Sequence, residues 1–313
     1  MESAPDIFVI ANPLWETTVL LAELPERQEI QAGGMDRIPQ HPLAKREDTG
    51  GSAANVAVHC AQWGLEVAQV GRAGTDSPSL LARGRMHHYG VNDHIVEEPG
   101  RNLKTSAILR KQGDDEGYFC AWVPENAVTP MRWEDIPEGW VLRAKWVHLD
   151  RISEVGLRLA EARFEAGLMT SLDLHVCPGR PAAAERLDRI LPCLSLVQLS
   201  EAAAQDMCRR KGMSLEPEEL LASLYRPGQW LITTMGERGA LAYEGDGLFY
   251  FEPAFLKGGY VDATGAGDAF VAMMIRQRMA GNSLADAMGE ASRYASKTCS
   301  ALGALGCFTI PII

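Results

Sequence analysis

The chain has few of the features that staple, thread or anchor a protein. Its seven cysteines (Cys60, Cys120, Cys177, Cys193, Cys208, Cys299 and Cys307) are odd in number and scattered, with no C-x-x-C pair. That excludes a disulfide framework or zinc knuckle and leaves reduced thiols as the expectation. No apolar run approaches the ~18 residues a membrane helix needs. The N-terminus, Met1 to Asp6, has no basic segment ahead of an apolar one. Neither a membrane span nor a secretory leader is expected, and a cytoplasmic protein is. Basic charge is also short: 30 Lys and Arg against 41 Asp and Glu give a net charge of −11. A nucleic-acid partner, which wants a basic face, is not expected, although a local phosphate site is compatible with that balance. The pattern G-x-x-x-x-G-K-[ST] is absent, which excludes a P-loop enzyme. Gly265-Ala266-Gly267 has Phe270 where G-x-G-x-x-G needs its third glycine, which counts against a dinucleotide enzyme. No internal repeat, low-complexity tract or interdomain linker is visible, so the 313 residues read as a single domain, 1–313.

What is present is concentrated in one stretch, Gly258-Gly259-Tyr260-Val261-Asp262-Ala263-Thr264-Gly265-Ala266-Gly267-Asp268-Ala269-Phe270. Gly265, Ala266 and Gly267 let a backbone approach a ligand closely. Phe270, Met273 and Met274 follow at helical spacing, so a helix starts inside this turn. Its first amides have no intrahelical partner and lie at the positive end of the dipole, which makes the turn an anion site. Asp268 in that first turn repels an anion unless it removes a proton from an attacking hydroxyl. Locally, two readings fit: a catalytic base beside an anion hole, or a Gly-rich turn with Asp as dipole partner.

The rest of the chain supplies a scaffold. Ile7–Ala11, Val67–Val70, Trp146–Leu149, Met169–Leu174, Leu196–Leu199 and Leu231–Thr234 read as strands, with a short one around Ile95. Gly239–Tyr243 and Leu248–Phe251 read as strands too. Helices are expected over Ser52–Trp63, Ser77–Tyr89, Glu154–Glu165, Ala182–Leu191, Glu201–Lys211, Pro217–Leu224 and Ser283–Leu302. Repeated βα units predict an α/β fold with a mostly parallel sheet covered on both faces. Thr17–Leu21 and Glu29–Gln31 look like strands outside that sheet, Pro39–Thr49 like a loop, and Thr105–Arg110 with Tyr118–Val123 like a hairpin turning through Gln112–Gly117.

DATGAGDAF at Asp262–Phe270 and GGSAANVAVHCAQWG at Gly50–Gly64 together resemble the two signature regions of the ribokinase-like (PfkB) carbohydrate kinases. The resemblance spans nearly the whole chain. It implies a ribokinase-like three-layer sandwich with a small β-sheet lid, inserted at about 14–40 and 98–125, that also serves as a homodimer contact. It implies ATP-dependent phosphorylation of a hydroxyl on a small sugar, with Asp268 as general base and the amides of Gly265, Ala266 and Gly267 holding the transferred charge. A nucleoside or sugar-phosphate kinase is the near alternative. A non-catalytic nucleotide- or sugar-binding relative is the alternative from another class.

Residue by residue, the resemblance places substrate contacts at Gly50, Gly51, Asn55, Asp150 and Glu16, where Glu stands in place of the family's usual Asp. For Ser52 the local reading is a helix N-cap. The nucleotide side falls to Ser200, Thr234, Gly236, Gly239, Gly267 and Ser292. Asp262 and Thr264, with carbonyls near Ala301 and Gly303, match a segment that holds a monovalent cation, K⁺, in ribokinase. Gly71-Arg72-Ala73-Gly74-Thr75-Asp76 matches a segment read as structural. One departure concerns Mg²⁺: the family's Asn-x-x-Glu reads Ser200-Glu201-Ala202-Ala203 here, which leaves Glu201 or the nucleotide and water to hold the ion. His87, His88 and His148 lack companions at metal-ligand spacing, and Arg101 and Lys104 read as a solvated edge.

Overall fold

Ile7-Phe8-Val9-Ile10 is apolar without interruption because both of its faces are buried. Ile7 and Val9 enter one core cluster, Phe8 and Ile10 the other. Such a run marks a central parallel strand. In the computed structural model, which describes residues 3–113, 117–177, 181–254 and 259–308, this segment is strand β1 (Ile7–Ile10) of a nine-stranded sheet. Gly258 and the three acids of the 105–123 hairpin turn lie outside the described residues.

After β1 come β2 (Trp15–Leu21), α1 (Arg27–Gly33), β3 (Ala44–Thr49), α2 (Ser52–Gln62), β4 (Val67–Ala73), α3 (Ser77–His88) and β5 (Val91–Glu97). Strands β6 (Thr105–Lys111) and β7 (Gly117–Trp122) precede α4 (Trp140–Arg143), β8 (Trp146–Leu149), α5 (Glu154–Glu165), β9 (Met169–Leu174) and α6 (Pro181–Ile190). Then follow β10 (Leu196–Ser200), α7 (Glu201–Lys211), α8 (Pro217–Leu224), β11 (Trp230–Thr234), β12 (Ala240–Tyr243) and β13 (Phe249–Glu252). The chain closes with α9 (Ala266–Met279) and α10 (Leu284–Thr298).

The large sheet has the order β13-β12-β11-β10-β9-β8-β1-β4-β5. Only β12 runs against the other strands, pairing antiparallel with β11 on one side and β13 on the other. One face packs on α2, α9 and α10, the other on α5, α6, α7 and α8, giving three layers. The carboxyl ends of β8, β9 and β10 meet the amino end of α9, where open α/β sheets take ligands.

The second sheet has the order β3-β2-β6-β7. Its faces follow period 2. Val19, Leu21, Ala107, Leu109 and Cys120 form an apolar cluster with Ile30 of α1 and Ile38. Glu16 and Ser106, paired in register, and Arg110 lie on the opposite face. α1 is pinned to that sheet by Arg27 and Gln31, which donate to the carbonyls of Phe119 and Ala121 at 3.2 and 3.1 Å.

Three sequence expectations are corrected. Glu29–Gln31 is helix, within α1, because Ile30 is a lone apolar anchor on a helix seated against another sheet. Ala44–Thr49 is strand, not loop: it alternates Lys45 and Glu47 outward along a polar sheet edge. α10 stops at Thr298 instead of reaching Leu302, because the Cys299 carbonyl turns to accept the amides of Val261 and Asp262 at 2.9 and 3.2 Å.

Candidate active site

Two distant segments meet at Asp268. α2 is capped by Gly51 (φ +91°), not by Ser52, which is its first residue; Asn55 sits in its first turn. The Asn55 Nδ2 donates to Asp268 Oδ2 at 2.6 Å, joining residues 213 apart in sequence. Both side chains are buried, and Asp268 Oδ1 and Asn55 Oδ1 have no hydrogen-bond partner. Burial alone raises the Asp268 pKa, but His175 beside it and the Asn55 amide outweigh that and hold it below the ordinary carboxylate value.

The turn before α9 is shaped by contact. Gly265 has φ +77°, and a Cβ there would lie 2.5 Å from Ala304 Cβ. The Ala266 amide donates to the Ala263 carbonyl at 3.0 Å, so it closes the turn and is not free for a ligand. This corrects its expected place among the anion-hole donors; Gly265 and Gly267 remain candidates. The Gly267 carbonyl accepts Gln198 Nε2 at 2.9 Å, which ties the turn to β10.

The second sheet brings Glu16 to the cleft. It is buried, accepts from Ser106 Oγ at 3.2 Å, and burial pushes its pKa up to about 7, with Asp268, Asp262 and Asp48 adding repulsion. Gly50 is demanded by this neighbour, since a Cβ on it would lie 2.7 Å from Glu16 Cβ. Asp150 closes β8, where the Arg151 fork grips it at 2.8 and 3.1 Å and the Ala53 amide approaches at 3.5 Å. Its carboxylate is thus already engaged, and Arg151 comes with it as part of the cleft wall.

Glu16 gives a pH prediction. A group whose folded pKa is raised destabilises the fold as pH climbs from about 4.5 through about 7. Glu16→Gln is therefore expected to be more stable than the wild type at pH 8, by of order 1–3 kcal/mol, with no gain at pH 4. Urea unfolding at the two pH values checks this; an equal effect at both would show that Glu16 does not titrate in the fold.

Among the residues expected to border a nucleotide, Ser200 caps α7: its Oγ accepts from the Ala203 amide at 3.1 Å and donates to the His175 carbonyl at 2.7 Å. Thr234 ends β11. Gly236 and Gly239 shape the turn after it; at Gly239 (φ +93°) a Cβ would lie 2.1 Å from the Glu252 carbonyl oxygen. Ser292 Oγ donates to the Pro253 carbonyl at 2.8 Å, a structural bond on the rim. Glu201 pairs with Arg238 and accepts from Gln205. Both contacts fall on Glu201 Oε1, so the one carboxylate of Ser200–Ala203 is held through a single oxygen by an exposed ion pair.

The monovalent-cation reading does not fit the donor set. Asp262, 1% exposed, accepts from Arg110 Nε (2.8 Å), the Thr264 amide (2.9 Å), Thr264 Oγ1 (2.7 Å) and the Gly303 amide (2.8 Å). A guanidinium already faces this carboxylate, and Gly303 presents its N–H there.

The sequence reading missed Ser106, Arg110, Arg151, Asp173 and His175. Asp173 and His175 carried one usable signal, their place at the end of a parallel strand. His148 is buried and bonded to Ser171 Oγ at 2.9 Å, a core histidine. Arg72, which pairs with Asp135 at 2.6 Å and Glu98 at 2.7 Å, makes its segment structural.

The sequence matches the pfkB family carbohydrate kinase profile over residues 38–311. It is 27% identical over 240 residues to Fructokinase-1 of Oryza sativa subsp. japonica, covering 73% of each chain. It is 23% identical over 290 residues to Aminoimidazole riboside kinase of Salmonella typhimurium, covering 88% of this chain and 90% of that one. In fold it is similar to a putative ribokinase from Agrobacterium tumefaciens, with TM-score 0.77 and 20% identity over 98% of this chain and 95% of that one. It is also similar to adenosine kinase from Sinorhizobium meliloti, with TM-score 0.78 and 17% identity over 96% of each. With the profile covering most of its length, the chain belongs to the pfkB family of carbohydrate kinases.

Proposed function

We propose that the chain transfers the γ-phosphoryl group of ATP to a hydroxyl of a small sugar held between the Glu16 face of the second sheet and the ends of β8 and β9. Asp268 takes the hydroxyl proton, the freed oxygen attacks the γ-phosphorus, and ADP leaves. Amides at Gly265 and Gly267 receive the charge that builds on the phosphoryl oxygens. Asn55 Oδ1, Glu16 and the Asp150–Arg151 pair line the sugar side. Thr234, Gly236, Gly239, Ser200 and Ser292 border the nucleotide, which brings Mg²⁺ with it. The observation that carries the reading is the contact between Asn55 and Asp268, with one Asp268 oxygen unpartnered.

The test is an ADP-release screen over sugars, nucleosides and sugar phosphates, with product phosphorylation verified by mass. Sugar phosphorylation supports the reading, a nucleoside or sugar phosphate as preferred acceptor redirects it within the fold, and ligand-induced thermal shifts without product would make the chain a binding protein. Because Arg110 supplies the positive charge at Asp262, turnover is expected to be the same in K⁺ and in tetramethylammonium buffers. A manyfold activation by K⁺ would sink that assignment. The homodimer contact expected through the lid would form outside the apolar face that α1 covers; sedimentation velocity tests it, and a purely monomeric species at micromolar concentration would count against it.

A further inference from the structure

The proposed base is not alone with Asn55. β9 delivers Asp173 near its end and His175 just beyond, two positions apart and so on the same side of the strand. Asp173 is 1% exposed, and neither of its carboxylate oxygens has a hydrogen-bond partner. His175 Nε2 lies 3.3 Å from Asp173 Oδ2 and 3.6 Å from Asp268 Oδ1, the oxygen that Asn55 leaves unheld. Its backbone is fixed by Ser200 Oγ on the His175 carbonyl.

The neighbourhood is rich in negative charge. Asp150 faces it from β8, Glu16 from β2, Asp173 from β9 and Asp268 from α9. The other titratable neighbours, His59 of α2 and His148 of β8, are buried and pushed down to about 4 by desolvation, so they stay neutral. Arg151 is committed to Asp150 and Arg110 to Asp262. Two buried carboxylates this close, without a cation, would share a proton. A base that holds that proton cannot accept another.

We propose that His175, as an imidazolium between Asp173 and Asp268, is the positioning residue that keeps the base ionised and aimed while the phosphates approach. Asp173 keeps the imidazole protonated: burial pushes the Asp173 pKa up to about 7, but the adjacent His175 works against that shift, and the Asp173 carboxylate in turn raises the pKa of the His175 ring, which is 45% exposed and so pays less for its charge. A proton suits the site better than a metal ion between the same three groups: at 3.6 Å the His175 Nε2 lies beyond hydrogen-bond distance and leaves Asp268 Oδ1 able to meet the hydroxyl, whereas a coordinated metal would take that oxygen. The proposal rests on Asp268 being the base.

Its test is the pH dependence of kcat/KM in His175→Asn. The acid limb is expected to move up by about one unit or more, so the loss is largest below neutral pH and shrinks as pH rises. Asp173→Asn in the same chain removes the like charge and is expected to return the limb part of the way. A readout free of catalysis is the NMR titration of the His175 ring: a midpoint above pH 8 in the wild type, falling toward ~6.5 in Asp173→Asn. An unmoved acid limb with a uniform loss, a ring that titrates below 7, or a stoichiometric Zn²⁺ retained by the wild type and lost in His175→Asn would each overturn it. If Asp268→Asn stays active, the base reading fails instead. If Asp268→Asn is dead and the His175→Asn profile is unchanged, only this proposal fails.

Discussion

Asp268→Asn is expected to lower kcat by about 10²–10⁴, the usual worth of a positioned base, while the protein stays folded and still binds ATP. The amide matches the carboxylate in shape, and its oxygen can keep the 2.6 Å bond from Asn55. Removing the charge also relieves repulsion on Glu16, so the melting temperature should hold or rise. ATP affinity should not fall either, since a negative group has been taken from the path of the phosphates. Turnover by rapid quench and ATP binding by calorimetry separate these effects. A variant that loses ATP binding along with turnover would show that Asp268 builds the turn, and one that keeps turnover within severalfold would remove it from the chemistry.

Gly265→Ala is expected to be the most damaging single methyl in the turn. At φ +77° a side chain costs about 1–2 kcal/mol. Overlap of the new Cβ with Ala304, at 2.5 Å from its Cβ and 2.7 Å from its Cα, adds about 1–3 kcal/mol. The turn can relieve that overlap only by moving, and it carries Asp268 with it. A shift of about 1 Å costs about 10²-fold in rate. Gly267→Ala is the stability control: its Cβ would meet Gln198 Nε2 at 3.7 Å, an ordinary contact, so the melting temperature should be close to the wild type. Equal melting temperatures for the two variants would refute the steric account of Gly265.

These two residues were legible in the chain because their signal is local: a small-residue turn, an acid and a helical apolar pattern lie within a dozen positions. The same holds for helices with strong ends, such as α5, capped by Ser153, and α7, capped by Ser200. The β1 run was legible because burial on both faces leaves no polar position in it. α1 and β3 were misread because their partners lie far along the chain, and a polar edge strand looks like a loop until its neighbour is known. His175, Asp173 and Arg110 were illegible for a related reason. Their roles depend on which strand ends converge on α9 and which face of β6 meets the turn, and neither is encoded near them. Ala266 shows the opposite failure: a local pattern suggested a free amide, and the turn's own closure consumed it.

The helix seated on the second sheet has a consequence for how that sheet's other face is held. Ile30 and Ile38 fill the side opposite Glu16, so the apolar residues of β2 and β6 are anchored within the chain. Packing on one face thereby steadies the strands whose other face carries Glu16 and Ser106.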